Sequence, residues 1–129
     1  MNNVQIVQQG YVDFAQGNIE GILNVMSDDV VWIDPGYPDI PYAGNLKGRV
    51  QVGEFFKKMD AAAVYTKFEP RSYIAQGDQV VALGFFAGYS KATQKTFESD
   101  WAMVWTFKNG KVMHLEIFVD TNTIAKAYR

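Results

Sequence analysis

The run VVWID, residues 30–34, carries strand-forming apolar residues into a carboxylate. A loop with Pro35, Gly36, Pro38, Pro41 and Gly44 follows. By strand alternation Asp34 shares a face with Val30 and Trp32. If Trp32 points into an apolar interior, Asp34 stands at its rim, where loss of water raises the pKa of a carboxyl group. Such a carboxylate suits abstraction of a proton next to a carbonyl. An Asp before proline also shapes turns, and the residues alone leave both readings open. Tyr11 lies on a stripe with Val4, Val7 and Phe14. On its own this is the setting of a core tyrosine whose hydroxyl finds a backbone partner. His114, the only histidine, stands two residues from Glu116 on one strand face. That pair reads as a proton relay lining a ligand site, or as a half-exposed salt bridge or dimer contact. One histidine with scattered carboxylates and no cysteine falls short of a metal site, so no metal is expected.

These groups need elements to hold them. Val4, Val7, Tyr11 and Phe14 predict a first amphipathic helix, Gly17 its stop and Asn18 the cap of a second helix carrying Ile19, Ile22, Leu23 and Met26. Residues 30–33 read as a strand, and Gly48 opens a third helix with Val52, Phe55, Phe56 and Met59 on one stripe. From about Lys67 the period becomes alternating. FEPRSYIAQ, QVVALGFFAGYS, TFESDWAMVWTF and KVMHLEIFVD predict four strands, with turns at Gly77-Asp78 and Asn109-Gly110. TNTIAKAYR reads as a closing helix. Helices followed by an antiparallel meander argue a single α+β domain over residues 1–129, with helices on one face of a curved sheet.

Composition sets the remaining bounds. The 129 residues are 48% hydrophobic and 15% aromatic, enough for a packed core. A net charge of −2 gives no reason to expect nucleic acid or an anionic membrane as partner. The N-terminus lacks a signal-peptide pattern and no segment is long and apolar enough to span a bilayer, so a cytoplasmic location is expected. Gly84 and Gly88 sit inside a strand, where they mark curvature rather than a phosphate loop. Val81, Leu83 and Phe85 alternate with Val80, Ala82 and Phe86, so both faces of that strand are apolar. A solvated sheet shows one polar side, and the second apolar side predicts a homodimer formed through the sheet.

The segments GYVDFAQGNIEGILNVMSDDVVWIDPG, AGNLKGRVQVGEFFKKM, IAQGDQVV, FESDWAMVWTFKNGKV and FVDT, in this order, resemble the nuclear transport factor 2-like superfamily. Its ketosteroid isomerase-like and SnoaL-like polyketide cyclase branches are the most similar. The resemblance implies a cone-shaped curved sheet with N-terminal helices on its concave face, enclosing an apolar cavity. It implies Asp34 as base and Tyr11 as oxyanion donor. It also places Met103 where the isomerase-like enzymes carry a second, acidic donor; a thioether cannot donate, so steroid isomerase activity is not expected. FVDT matches the position from which an aspartate of SnoaL-like cyclases acts as general acid or base, implying that role for Asp120. Asp120, however, shares strand parity with Val112, His114, Glu116 and Phe118, against Leu115, Ile117 and Val119 on the implied cavity side. A β-bulge near Phe118 reconciles the two; without one, Asp120 caps the last helix.

The expectation is therefore a SnoaL-like protein whose cavity binds a small hydrophobic carbonyl compound of ring or polyketide-like shape. Trp32, Phe55, Phe56, Met59, Trp101, Met103, Trp105 and His114 would contact the ligand. Any reaction is cofactor-free proton transfer of isomerase, cyclase or dehydratase type. The alternative is a non-catalytic ligand-binding or dimeric interaction module.

Overall fold

A computed structural model describes residues 1–129. Helix α1 spans Asn3–Ala15 and opens with a capping box, the Asn2 side chain accepting from the Gln5 amide while the Gln5 side chain accepts from the Asn2 amide. Gly17, at a φ of 71°, ends it in the left-handed region. Asn18 then caps α2, Ile19–Asn24, accepting from the Gly21 amide. Met26 does not continue that helix. It begins strand β1, Met26–Asp34, and is fully buried there. Strand β2, Gly44–Lys47, is a short edge strand inside the stretch read as loop, and α3, Gly48–Ala62, follows it. Next come β3 (Ala63–Gln76), β4 (Gln79–Ser90), β5 (Thr96–Lys108), β6 (Lys111–Val119) and α4 (Thr121–Ala127).

The six strands form one open sheet in the order β2-β1-β6-β5-β4-β3. All neighbours are antiparallel except β1 and β6, which run parallel and so bring Asp34, which ends β1, and Asp120, which follows β6, to the same end of the sheet. Two irregularities in the β3–β4 ladder bend the sheet. Gly84 bends it too: Trp101 lies across it from β5, and a Cβ there would collide with the indole and with the Glu69 carbonyl. The Asn109-Gly110 turn has both residues at positive φ, 53° and 76°, as the type I′ hairpin requires. Helices α1 and α3 cover the concave face. Val7 and Tyr11 of α1 and Val52, Phe55 and Phe56 of α3 are buried against Val80, Ala82, Trp105 and Leu115 of the sheet.

The convex face carries an uncovered apolar patch, flanked by Gln79, Thr106, His114, Glu116 and Asp100. Ile74, Val81, Val104, Leu83, Ala102 and Phe118 adjoin across β3 to β6, and Ile74 and Phe118 are 58% and 48% exposed. No helix of the chain is long and apolar enough to cross a membrane.

Candidate functional site

The space between helices and concave face holds a cavity of about 80 Å³. Asp34 is the only charged side chain among its lining residues. It closes β1, two residues beyond Trp32 on the inward face, and is 8% exposed. No hydrogen-bond donor reaches its carboxylate, and burial alone pushes its pKa up from 3.8 to about 7. At neutral pH this group is near half ionisation, able both to accept and to return a proton.

Tyr11 reaches the same cavity from α1. Its hydroxyl accepts a hydrogen bond from Trp105 Nε1 at 3.1 Å and donates to Met103 Sδ at 3.3 Å. Burial raises its pKa, and the Trp105 bond opposes that rise. Met103 thus occupies the second-donor position as an acceptor. A thioether is a weak acceptor, so a carbonyl oxygen entering the cavity competes well for the Tyr11 proton. Trp105 meanwhile makes the phenol a better donor.

Trp32, Phe55, Phe56, Met59, Met103 and Trp105 line the cavity as the sequence predicts. Three predicted residues do not. Trp101 is buried on the same face but lies across Gly84, stacked on Phe68 at 5.2 Å, outside the cavity. His114 is on the convex face opposite Thr106, with no ion pair to Glu116. Alternation with the inward Leu115 and Ile117 turns it out, and the bulge in β6 lies at Met113 rather than near Phe118: Phe107 pairs with Val112 and Thr106 with His114, so Val112 points in although it stands two residues before His114. The third is Asp120. Beyond this bulge the strand is regular, and Asp120 is turned out to cap α4, accepting from the Thr123 amide at 3.1 Å and the Thr123 hydroxyl at 2.7 Å. Those bonds hold its pKa below the ordinary carboxyl value. The general acid/base placement of Asp120 is therefore not supported by its position; the helix-cap reading is.

Sequence reasoning missed a cluster of phenols. Tyr42 from the loop after β1, Tyr65 from β3 and Tyr128 just past α4 bring their hydroxyls together, Tyr42 lying 2.9 Å from Tyr65 and 2.8 Å from Tyr128. Tyr42 and Tyr65 line the cavity with Asp34. The three come from segments 23 and 63 residues apart, so no local spacing announces them. Phe14, Phe56, Met59, Tyr65 and Phe68 line both the cavity and an open groove bounded by α2, α3 and β3, and so form the partition between the two.

The model of the SnoaL-like domain family matches residues 7–115. Among solved structures, an NTF2-like protein of Burkholderia xenovorans LB400 is 33% identical, with a TM-score of 0.89 over 98% of this chain and 95% of that one. TerC, crystallised with polyporic acid, is 27% identical, with a TM-score of 0.86 over 98% of this chain and 97% of that one. A SnoaL-like polyketide cyclase-type protein of Mesorhizobium loti, at 19% identity and a TM-score of 0.76 over 92% of this chain and 99% of that one, shares the fold. No curated protein matches the chain. The curved open sheet, the helix-covered concave face and a family match spanning most of the length agree, and the chain belongs to the SnoaL-like family of the NTF2-like superfamily.

Proposed function

We propose that the cavity receives a small hydrophobic carbonyl compound and that Asp34 moves a proton at the carbon beside the carbonyl. The observation that carries this reading is the burial of one unpartnered carboxyl, at about pKa 7, in an apolar cavity that also holds the Tyr11 hydroxyl. The Asp34 carboxylate takes the proton, the C–H electron pair becomes the C=C bond of an enolate, and negative charge gathers on the carbonyl oxygen. Tyr11, polarised by Trp105, turns its proton from Met103 to that oxygen. In a β,γ-unsaturated carbonyl compound the enolate is a dienolate, and return of the proton to the γ-carbon gives isomerisation; attack of the enolate on a second carbonyl closes a ring, the resulting alkoxide taking the proton back from Asp34. The scheme uses no cofactor. The similar protein TerC was crystallised with polyporic acid, which supports a small organic molecule as the ligand.

The cavity, at about 80 Å³, is smaller than the ~150 Å³ that admits a benzene ring, so a ring enters by displacing part of the partition. Met59, unbranched and flexible, is the member best able to yield. The test is exchange of the α-protons of 2-tetralone in D2O, followed by NMR. The protein should accelerate exchange above buffer, and Asp34→Asn should remove the acceleration. Equal rates with protein and with Asp34→Asn contradict the proposal.

The small cavity and the bare convex face favour a second reading, a non-catalytic module acting through its sheet. Both readings include a homodimer packed face to face on Ile74, Leu83 and Phe118. Light scattering should give a dimer mass for the protein and a monomer mass for Phe118→Glu; a monomeric wild-type protein rules this arrangement out.

A further inference from the structure

Three hydroxyls joined by two hydrogen bonds hold one proton more than those bonds use. Tyr42 contacts both Tyr65 and Tyr128, and none of the three has another hydrogen-bond partner. The extra proton rests on Tyr42, Tyr65 or Tyr128, and the first two line the cavity. Asp34 lines it too and has the reverse deficit, an acceptor that no donor reaches. Tyr11 does not fill the gap, since its hydroxyl is engaged by Trp105 and Met103. With that proton on Tyr42 or Tyr65, the same hollow holds a donor with no acceptor and an acceptor with no donor, and no hydrogen bond joins them. One kind of group satisfies both at once: a hydroxyl that donates to the carboxylate while accepting from the phenol.

We propose that Asp34 and the Tyr42–Tyr65–Tyr128 hydroxyl chain form a second polar subsite, apart from Tyr11, that receives an enolic or phenolic hydroxyl of the ligand. This rests on the reading of the cavity as a ligand site and narrows its occupant to a ring that bears a hydroxyl close to the carbon beside its carbonyl. Tyr128, half-buried, extends the chain away from the cavity, and each added link strengthens the terminal donor. Burial raises the pKa of Tyr65 and of Tyr128, and in both the negative charge of Asp34 raises it further, in keeping with a carboxylate close by. Such a hydroxyl is acidic enough to bond strongly to a carboxylate, whereas a methyl ether at the same place offers no proton.

The test is binding of 4-fluorophenol, 4-fluoroanisole and fluorobenzene to the full chain at pH 8, read by 19F NMR. The phenol should bind about tenfold more tightly than either of the others. Tyr11→Phe should keep that preference, and the Tyr42→Phe/Tyr65→Phe double variant should reduce it to about twofold or less. If a melting curve shows the double variant unfolded, Tyr128→Phe, which shortens the chain from its far end, should lower the preference about threefold. Equal binding of phenol and anisole, no binding of any probe, or a preference lost in Tyr11→Phe and kept in the double variant overturns the subsite. A protein that exchanges 2-tetralone protons but shows no phenol preference keeps the Asp34 base and loses this inference. A protein that prefers the phenol but exchanges nothing keeps the subsite and loses the base.

Discussion

Asp34 and Asp120 end two neighbouring parallel strands, each after an apolar run, and their surroundings are opposite. Asp34 has no donor within reach and is driven up to about pKa 7 by burial. Asp120 is exposed, accepts two bonds from Thr123 and is driven below its ordinary value. The difference comes from the chain beyond each acid. After Asp34 the loop folds back over the site and buries Ile40 and Tyr42 above it; after Asp120 the chain turns straight into a helix whose free amides need a cap. A carboxylate set among apolar side chains is held ready for proton transfer, while one set against amides holds a helix end.

The largest expected separation between the two acids is in chemistry. Asp34→Asn should slow α-proton exchange of 2-tetralone by about 10² to 10⁴, the range of a lost general base, and Asp120→Asn should leave it within about twofold. Loss of exchange in both variants would merge the two tips into one site. Exchange by the wild-type protein should also rise with pH and level off above about 7 as Asp34 ionises.

The next separation is in the sign of the pH dependence of stability. Between about pH 4 and pH 7 the folded chain keeps a proton on Asp34 that the unfolded chain releases, so stability falls as pH rises through this window and is flat above it. The shift corresponds to about 4 kcal/mol. Asp34→Asn should therefore match wild type near pH 4 and exceed it at pH 8 in urea denaturation. Asp120 has the reverse sign: its contribution is present above the ordinary carboxyl pKa and is lost on acidification.

Smaller effects sharpen the same contrast. Tyr11→Phe should lower exchange by about 10², the loss of one oxyanion donor, without moving the pH midpoint. A midpoint shifted to that of a free carboxyl would show instead that Tyr11 builds the environment of Asp34. Asp120→Ala should lower Tm slightly and leave exchange unchanged, as expected of a lost helix cap.

Legibility of the two tips in the sequence differed for a physical reason. Helix stops, caps and the Asn109-Gly110 turn rest on local backbone chemistry, and Gly17, Asn18 and Gly110 behave as their types require. Burial of Asp34 followed from simple alternation, since β1 is regular from Val30 to Asp34. In β6 the bulge at Met113 breaks alternation, so the residues before it cannot be aligned with those after it by counting. That is why simple alternation puts His114 and Val112 on one face when they lie on two. Strand β2 escaped notice because its four residues, GNLK, carry no β-branched run and owe their conformation to pairing with β1. The Tyr42–Tyr65–Tyr128 contact depends on the crossing of a loop, a strand and the C-terminal end, which only the folded chain brings together.

The central claim is that one carboxyl stands unpartnered in a water-poor hollow, and its own titration tests that most directly. With 13C-labelled aspartate and Asp34→Asn to assign the signal, NMR should show Asp34 titrating with a midpoint near 7, several pH units above Asp120. A midpoint near 4 for Asp34 would show that water reaches the group freely, and the proposed base would have no environment to make it one.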